Sequence, residues 1–279
     1  MTSIRNLKIR KFIDARGKEV LLPPRPERIV SFICSITETL FEIGAGERVI
    51  GRTNYCIKPA PVIEEVQKIG GPKNPDIDLI LSLKPDLLIA NVEENEKKDI
   101  DILERSGVPV FVTYPKTITD SIELIKTLGM ITDTEAEAGE LYNKAINIAE
   151  EIKQKTESSA NPPSIVYLIW RKPFMTINSD TYINNLIEFC GVLNVFADRN
   201  ERYPEISLED IMQSRPEIIF FPSEPYPYKK IHTEEFMHLS DIPAVRNNRL
   251  LLVDGEMFSW YGYRMIHGLK YIYSILNEQ

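Results

Sequence analysis

Apolar residues at Ala138, Leu141, Ala145, Ile148 and Ile152 recur at three- and four-residue steps within TDTEAEAGELYNKAINIAEEIKQKT. That spacing lays one apolar stripe along one side of a helix over 132–156. Thr132 with Glu135 three residues later reads as a capping box, and the Pro-Pro of ESSANPP stops the helix. About 24 residues at about 1.5 Å each make a rod of roughly 35 Å. A single long helix near the middle of the chain is expected to join two lobes. The same stripe would also suit a long surface helix of one α/β domain.

On both sides of this helix the pattern alternates. Residues 7–21 read as two strands around Asp14-Ala-Arg-Gly17, and Pro23-Pro-Arg-Pro26 interrupts them. Strands are expected at 28–32, 47–53, 87–90 and 108–112, with 34–44 read as a loop feeding a helix and helical patterns at 78–83, 95–106 and 119–128. Beyond the long helix come strands at 164–170, 217–222 and 250–254 and helices at 182–191 and 267–276, the first ending on Gly191. Alternation of this kind predicts parallel sheets with helices on both faces.

The restart is visible within the chain. IDLILSLKPDLLIA (77–90) and LEDIMQSRPEIIFF (208–221) align without a gap. Asp78 matches Glu209, Ile80 matches Ile211, Lys84 matches Arg215, Pro85 matches Pro216 and Asp86 matches Glu217. Each copy predicts a short helix opened by an acid, ended by a base and proline, and followed by an apolar strand. The expected fold is α/β: two Rossmann-like lobes with parallel-rich sheets, 1–131 and 158–279, joined by one long backbone helix at 132–157.

Composition narrows the function. Lys plus Arg total 33 against 41 Asp plus Glu, a net charge of −8, and no basic stripe suggests nucleic acid. No apolar run is long enough to span a membrane. The start, MTSIRNLKIRKF, has neither an apolar h-region nor a small-residue cleavage site. That is expected of a cytoplasmic protein, or of a chain given without its leader. Cys34, Cys56 and Cys190 lack the spacing of a metal site and read as buried thiols.

Catalytic signatures are scarce. Neither GxGxxG nor GxxxxGK[ST] occurs, and HExxH and GxSxG are absent. His232, His238 and His267 are scattered. An enzyme using Glu93, Glu224 or Glu256 as acid or base is the weaker alternative, because no nucleophile–base pair is readable. Aromatic and charged residues instead gather at expected carboxyl ends of strands, where open α/β sheets bind ligands. These are Tyr55, Trp170, Arg171, Tyr203, Glu224 with Tyr226 and Tyr228, and Trp260, Tyr261 and Arg264. Aromatic walls with arginine anchors would suit a large planar or macrocyclic ligand carrying negative groups. Asp78 and Glu209 fit helix N-termini electrostatically; as a repeated pair they would also present symmetric negative knobs to a basic two-fold partner.

With those residues in view, the chain resembles the substrate-binding proteins of ABC importers for cobalamin and ferric siderophores. The matching pieces are 26–59, 70–90, EFCGVLNVFAD (188–198) and RYPEISLEDIMQSRPEIIFF (202–221). The resemblance implies a periplasmic or cell-surface receptor that holds a corrinoid or iron chelate in an inter-lobe cleft and delivers it to a permease. It implies no intrinsic cofactor and no protein ligand to the metal. Tyr55 matches a ligand-stacking tyrosine of the cobalamin binders, and Tyr203 stands at a ligand-contacting tryptophan. Asp78 and Glu209 match the acids that dock on permease arginines. Pro72 departs from an aromatic contact, and Cys190 matches half of a disulfide whose partner is absent from 267–279. The segments 169–185 and 254–264 are not explained by those binders and suggest a subgroup with its own ligand. A cytoplasmic ligand sensor on the same fold is the other alternative.

Overall fold

A computed structural model describes residues 9–157 and 161–277. The expected strand start at 7–8 and the helix-ending residues 158–160 lie outside the described residues. The N-terminal hairpin forms from β1 (Arg10–Ile13) and β2 (Glu19–Leu22), paired antiparallel. Asp14 shapes its turn by accepting the backbone N–H groups of Arg16 at 2.8 Å and Lys18 at 3.1 Å. Gly17 completes it at φ +74°, a conformation that disfavours any side chain.

Two compact units follow from the contacts. The first takes in the chain to Pro115, Asp120–Ala145 and Tyr261–Arg264; the second takes in Lys116–Thr119, Ile146–Trp260 and the chain from Met265. The division falls inside the long helix, between Ala145 and Ile146.

The first unit runs β3 (Ile29–Ser31), α1 (Cys34–Glu42), β4 (Val49–Arg52), β5 (Gln67–Lys68) and the small pair β6 (Gly70–Gly71) and β7 (Asn74–Pro75). It continues through α2 (Ile77–Leu83), β8 (Leu87–Asn91), α3 (Lys97–Arg105) and β9 (Val110–Thr113), then α4 (Ile118–Thr132), whose first two residues belong to the second unit, and the start of α5 (Glu135–Thr156). Its sheet has the order β5-β4-β3-β8-β9, every pair parallel. All five residues of β8 are buried, which is why that strand reads as an unbroken apolar run.

The second unit contains β10 (Ser164–Tyr167), β11 (Phe174–Met175), α6 (Tyr182–Phe189), β12 (Leu193–Asn194), β13 (Glu205–Ile206), α7 (Leu208–Ser214) and β14 (Ile218–Pro222). After these come α8 (Lys230–Glu234), α9 (Pro243–Arg246), β15 (Leu250–Val253), α10 (Glu256–Ser259) and α11 (Tyr263–Asn277), whose first two residues belong to the first unit. Its main sheet is also parallel, in the order β12-β10-β14-β15. Phe221, Phe236, Leu239 and Ile242 pack with Val166 and Leu168 in its core. Full burial of one such side chain contributes about 1.5–3 kcal/mol.

The predicted repeat is a structural repeat. In both copies the short helix ends on a left-handed residue, Lys84 at φ +49° and Arg215 at φ +46°, followed by a buried proline. The next acid then ties the new strand to its neighbour. Asp86 accepts the backbone N–H groups of Glu27 and Arg28 at 2.9 and 2.8 Å, and its own N–H donates to the Arg28 carbonyl. Glu217 accepts the N–H of Ser164 at 2.7 Å, and its N–H donates to the Ser164 carbonyl.

The capping expectation needs correction. Thr132 closes α4, with its hydroxyl donating to the Leu128 carbonyl at 2.7 Å. Asp133 turns the chain at φ +60°, and α5 starts at Glu135, the Thr134 carbonyl accepting from Ala138 N–H at 3.0 Å. The apolar residues Leu128 and Ile131 of α4 run straight into the next stripe, so periodicity alone did not separate the helices. The stripe itself is as read: Ala138, Leu141, Ala145, Ile148 and Ile152 are all buried.

Candidate functional site

Each sheet reverses its strand order once, between β3 and β8 in the first unit and between β10 and β14 in the second. Loops leaving the carboxyl ends of strands at such a reversal diverge and leave a crevice above the sheet. Trp170 follows β10 and Tyr226 follows β14, so both belong to the reversal of the second unit. Their rings meet edge to face, with centroids 5.5 Å apart and planes at 75°. Trp170 remains 43% exposed. Its carbonyl accepts the Tyr228 hydroxyl at 2.7 Å, and Tyr226 packs in turn on Tyr228 and His232. This aromatic stack fixes Trp170 while leaving ring surface open. Tyr226 was legible only as part of the run Glu224-Pro-Tyr-Pro-Tyr228.

Tyr55 and Tyr203 are also exposed, at 66% and 40%. Tyr55 follows β4 in the first unit, and Tyr203 precedes β13 in the second, with the Arg202 guanidinium 5.7 Å from its ring centroid.

The remaining candidates are committed to internal partners. Arg171 pairs with Glu235, its Nε donating at 3.2 Å and its terminal nitrogen also engaged. That hydrogen bonding raises the arginine pKa and lowers that of Glu235. Glu224 accepts the Ser259 hydroxyl at 2.6 Å and the Trp260 indole N–H at 2.9 Å. Burial raises its carboxyl pKa, and the nearby charges of Glu256 and Asp254 add to the shift.

The segment expected as an open aromatic loop is instead a strap. Trp260 and Tyr261 are buried. Asn91 donates to the Tyr261 hydroxyl at 3.0 Å, Gly262 N–H to the Ser121 hydroxyl at 2.8 Å, and Tyr263 N–H to the Thr39 hydroxyl at 3.0 Å. Arg264 donates through Nε to Glu38 at 2.9 Å; the Glu38 side chain is buried and that of Arg264 largely so. Trp260 and Tyr261, expected to line a cleft, are thus packed within the fold, and Arg264 is paired with Glu38. Their polar atoms are claimed by residues far along the chain, which no local pattern reveals.

Asp78 and Glu209 are exposed and occupy the second position of α2 and α7. The thiols divide sharply. Cys190 is buried and its pKa is pushed up to about 12 by burial. Cys56 is equally buried, yet hydrogen bonds from Cys34, Thr37 and Thr53 bring it down to about 6. Among the described residues no group of three or more His, Cys, Asp or Glu could hold a metal ion, and no helix is long and apolar enough to cross a membrane.

Comparison with known proteins adds to this geometry. The family profile described as periplasmic binding protein matches residues 29–257. A vitamin B12-binding protein of Vibrio cholerae serotype O1 is 27% identical over 206 residues, covering 72% of this chain and 72% of that protein. An uncharacterized ABC transporter substrate-binding lipoprotein of Bacillus subtilis is 26% identical over 264 residues, covering 92% and 82%. A solved structure described as a possible iron-binding, periplasmic solute-binding protein from Staphylococcus epidermidis superposes with a TM-score of 0.79 at 25% identity, covering 91% of this chain and 100% of that one.

Proposed function

The chain belongs to the periplasmic binding protein family, and from that membership we propose that it is the substrate-binding component of an ABC importer. It captures a metal chelate, either a corrinoid or an iron complex such as a ferric siderophore or haem, and delivers it to a membrane permease. It acts by binding and release, on the outer side of the cytoplasmic membrane. The vitamin B12-binding and iron-binding relatives support this ligand class.

The observation that carries the reading is the Trp170–Tyr226 pair at the strand reversal of the second unit. A flat, part-exposed indole held by a second ring suits a planar or macrocyclic chelate through ring-face contact. Tyr55 and Tyr203 supply further exposed rings. Because Arg171 and Arg264 are paired with Glu235 and Glu38, ring contact outweighs charge pairing in ligand selection. Asp78 and Glu209, equivalent exposed acids on two copies of one motif, are proposed to meet basic residues of the permease.

Titration followed by tryptophan fluorescence tests this. A corrinoid, haem and several ferric siderophores are each added, with the metal-free chelator as control and correction for absorbance. Saturable quenching at micromolar concentration or below by one compound is expected, and Trp170→Phe should remove most of it. If nothing binds, the chelate assignment falls while the family membership stands.

A further inference from the structure

Cys34 and Cys56 are brought together by the register of two neighbouring strands. In the parallel pair of β3 and β4, Ser31 lies beside Arg52. Cys34 follows Ser31 by three residues and opens α1; Cys56 follows Arg52 by four, in the loop that carries Tyr55. Thr37, one turn along α1 from Cys34, donates its hydroxyl to the Cys56 sulfur at 3.4 Å. Thr53 shares a hydrogen bond with the same sulfur at 3.0 Å. The Cys34 thiol also lies close enough to the Cys56 sulfur to be the leading cause of its lowered pKa. Cys56 is fully buried, whereas Cys34 is part-exposed, and neither takes part in a disulfide.

From this arrangement we infer that Cys34 and Cys56 are a reversible dithiol–disulfide site, with Cys34 the entry thiol and Cys56 the resolving one. The co-reactant is a small or protein disulfide, RSSR, able to reach Cys34 but not Cys56. The Cys34 sulfur bonds to one sulfur of RSSR, the RS–SR bond breaks, and RS⁻ leaves. The Cys56 sulfur then attacks the Cys34 sulfur and expels the second RS⁻. Two protons leave the cysteines and convert both RS⁻ to RSH; two electrons pass from the protein to RSSR. The hydroxyls of Thr37 and Thr53 favour the thiolate that the second step requires, and the lowered pKa of Cys56 accords with this. Cys190, buried with its pKa raised, stays out of the reaction.

The product bond would tie the first turn of α1 to the Tyr55 loop. The site is thus a redox-dependent restraint on an exposed aromatic residue, and its chemistry is independent of which ligand the protein binds.

The test is oxidation of the folded full chain with oxidised glutathione, followed by trapping of free thiols and peptide mapping. The wild type should lose two of its three thiols and yield a peptide containing Cys34 joined to one containing Cys56. Reductant should reverse this. Cys56→Ser should stop at a glutathione adduct on Cys34, and Cys190→Ser should still form the bond. Three unreacted thiols in the wild type would overturn the inference. So would a glutathione adduct on Cys34, or a disulfide-linked dimer, without the Cys34–Cys56 link.

Discussion

Arg264 donates to Glu38 across 226 residues of sequence, and both side chains are largely withdrawn from water. A buried pair of this kind contributes little net stability when complete, because both ions have been desolvated. Breaking one half is costly, because the other charge remains buried alone.

Glu38→Gln should therefore destabilise the protein by about 3–5 kcal/mol in urea unfolding. Replacing both residues by methionine should cost much less than the single change. Equal losses in the single and double variants would show that packing, not charge, governs this position.

Two helical glycines should respond in opposite directions. A Cβ on Gly139, inside α5, would meet nothing within 4 Å. Gly139→Ala should stabilise by about 0.5–1 kcal/mol through helix propensity. A Cβ on Gly129, in α4, would fall 2.3 Å from the Ala138 Cβ. Gly129→Ala should destabilise by about 1–3 kcal/mol through overpacking. Thermal unfolding of the two variants gives both signs in one experiment.

Asp78 and Glu209 are exposed at the second positions of α2 and α7. Replacing both by lysine should abolish uptake in cells that depend on this receptor while leaving chelate affinity within about twofold. Affinity that falls together with uptake would place these acids in the binding site or the fold instead.

Glu224 gives a pH dependence with a definite sign. Its carboxyl is raised above the ordinary value of 4.5, so the folded state holds the proton more tightly than the unfolded state. Its contribution is complete in acid and declines as pH rises from the unfolded value through the raised folded one. Glu224→Gln retains an oxygen able to accept from Ser259 and Trp260 and never ionises. The stability of the variant relative to wild type should grow as pH increases from about 4 to about 8. Melting curves across that range check it, and a difference that shrinks with pH would reverse the assignment.

The chain made its architecture easier to read than its site. Residues 77–90 and 208–221 disclosed a structural repeat because the helix end and the proline after it are local features. Lys84 and Arg215 sit in the turns they build, whereas Asp86 and Glu217 tie their strands to residues 53–59 positions away. Tyr55, Trp170 and Tyr203 were legible as loop aromatics beside strands, and each is exposed in the fold. Arg171, Glu224, Trp260, Tyr261 and Arg264 look identical in sequence, but their partners are supplied by distant segments. The approach of Cys34 to Cys56 likewise depends on which strands become neighbours, and spacing alone does not encode that.

The strap that carries Tyr261 and Arg264 also imposes an order on biosynthesis. Glu38 leaves the ribosome 226 residues before its partner. At roughly 5–20 residues per second, that interval lasts on the order of 10–45 s. Throughout it, Thr39, Asn91 and Ser121 lack the strap groups that later bond to them. The first unit to begin synthesis therefore stays incomplete until the strap at 261–264 has been made.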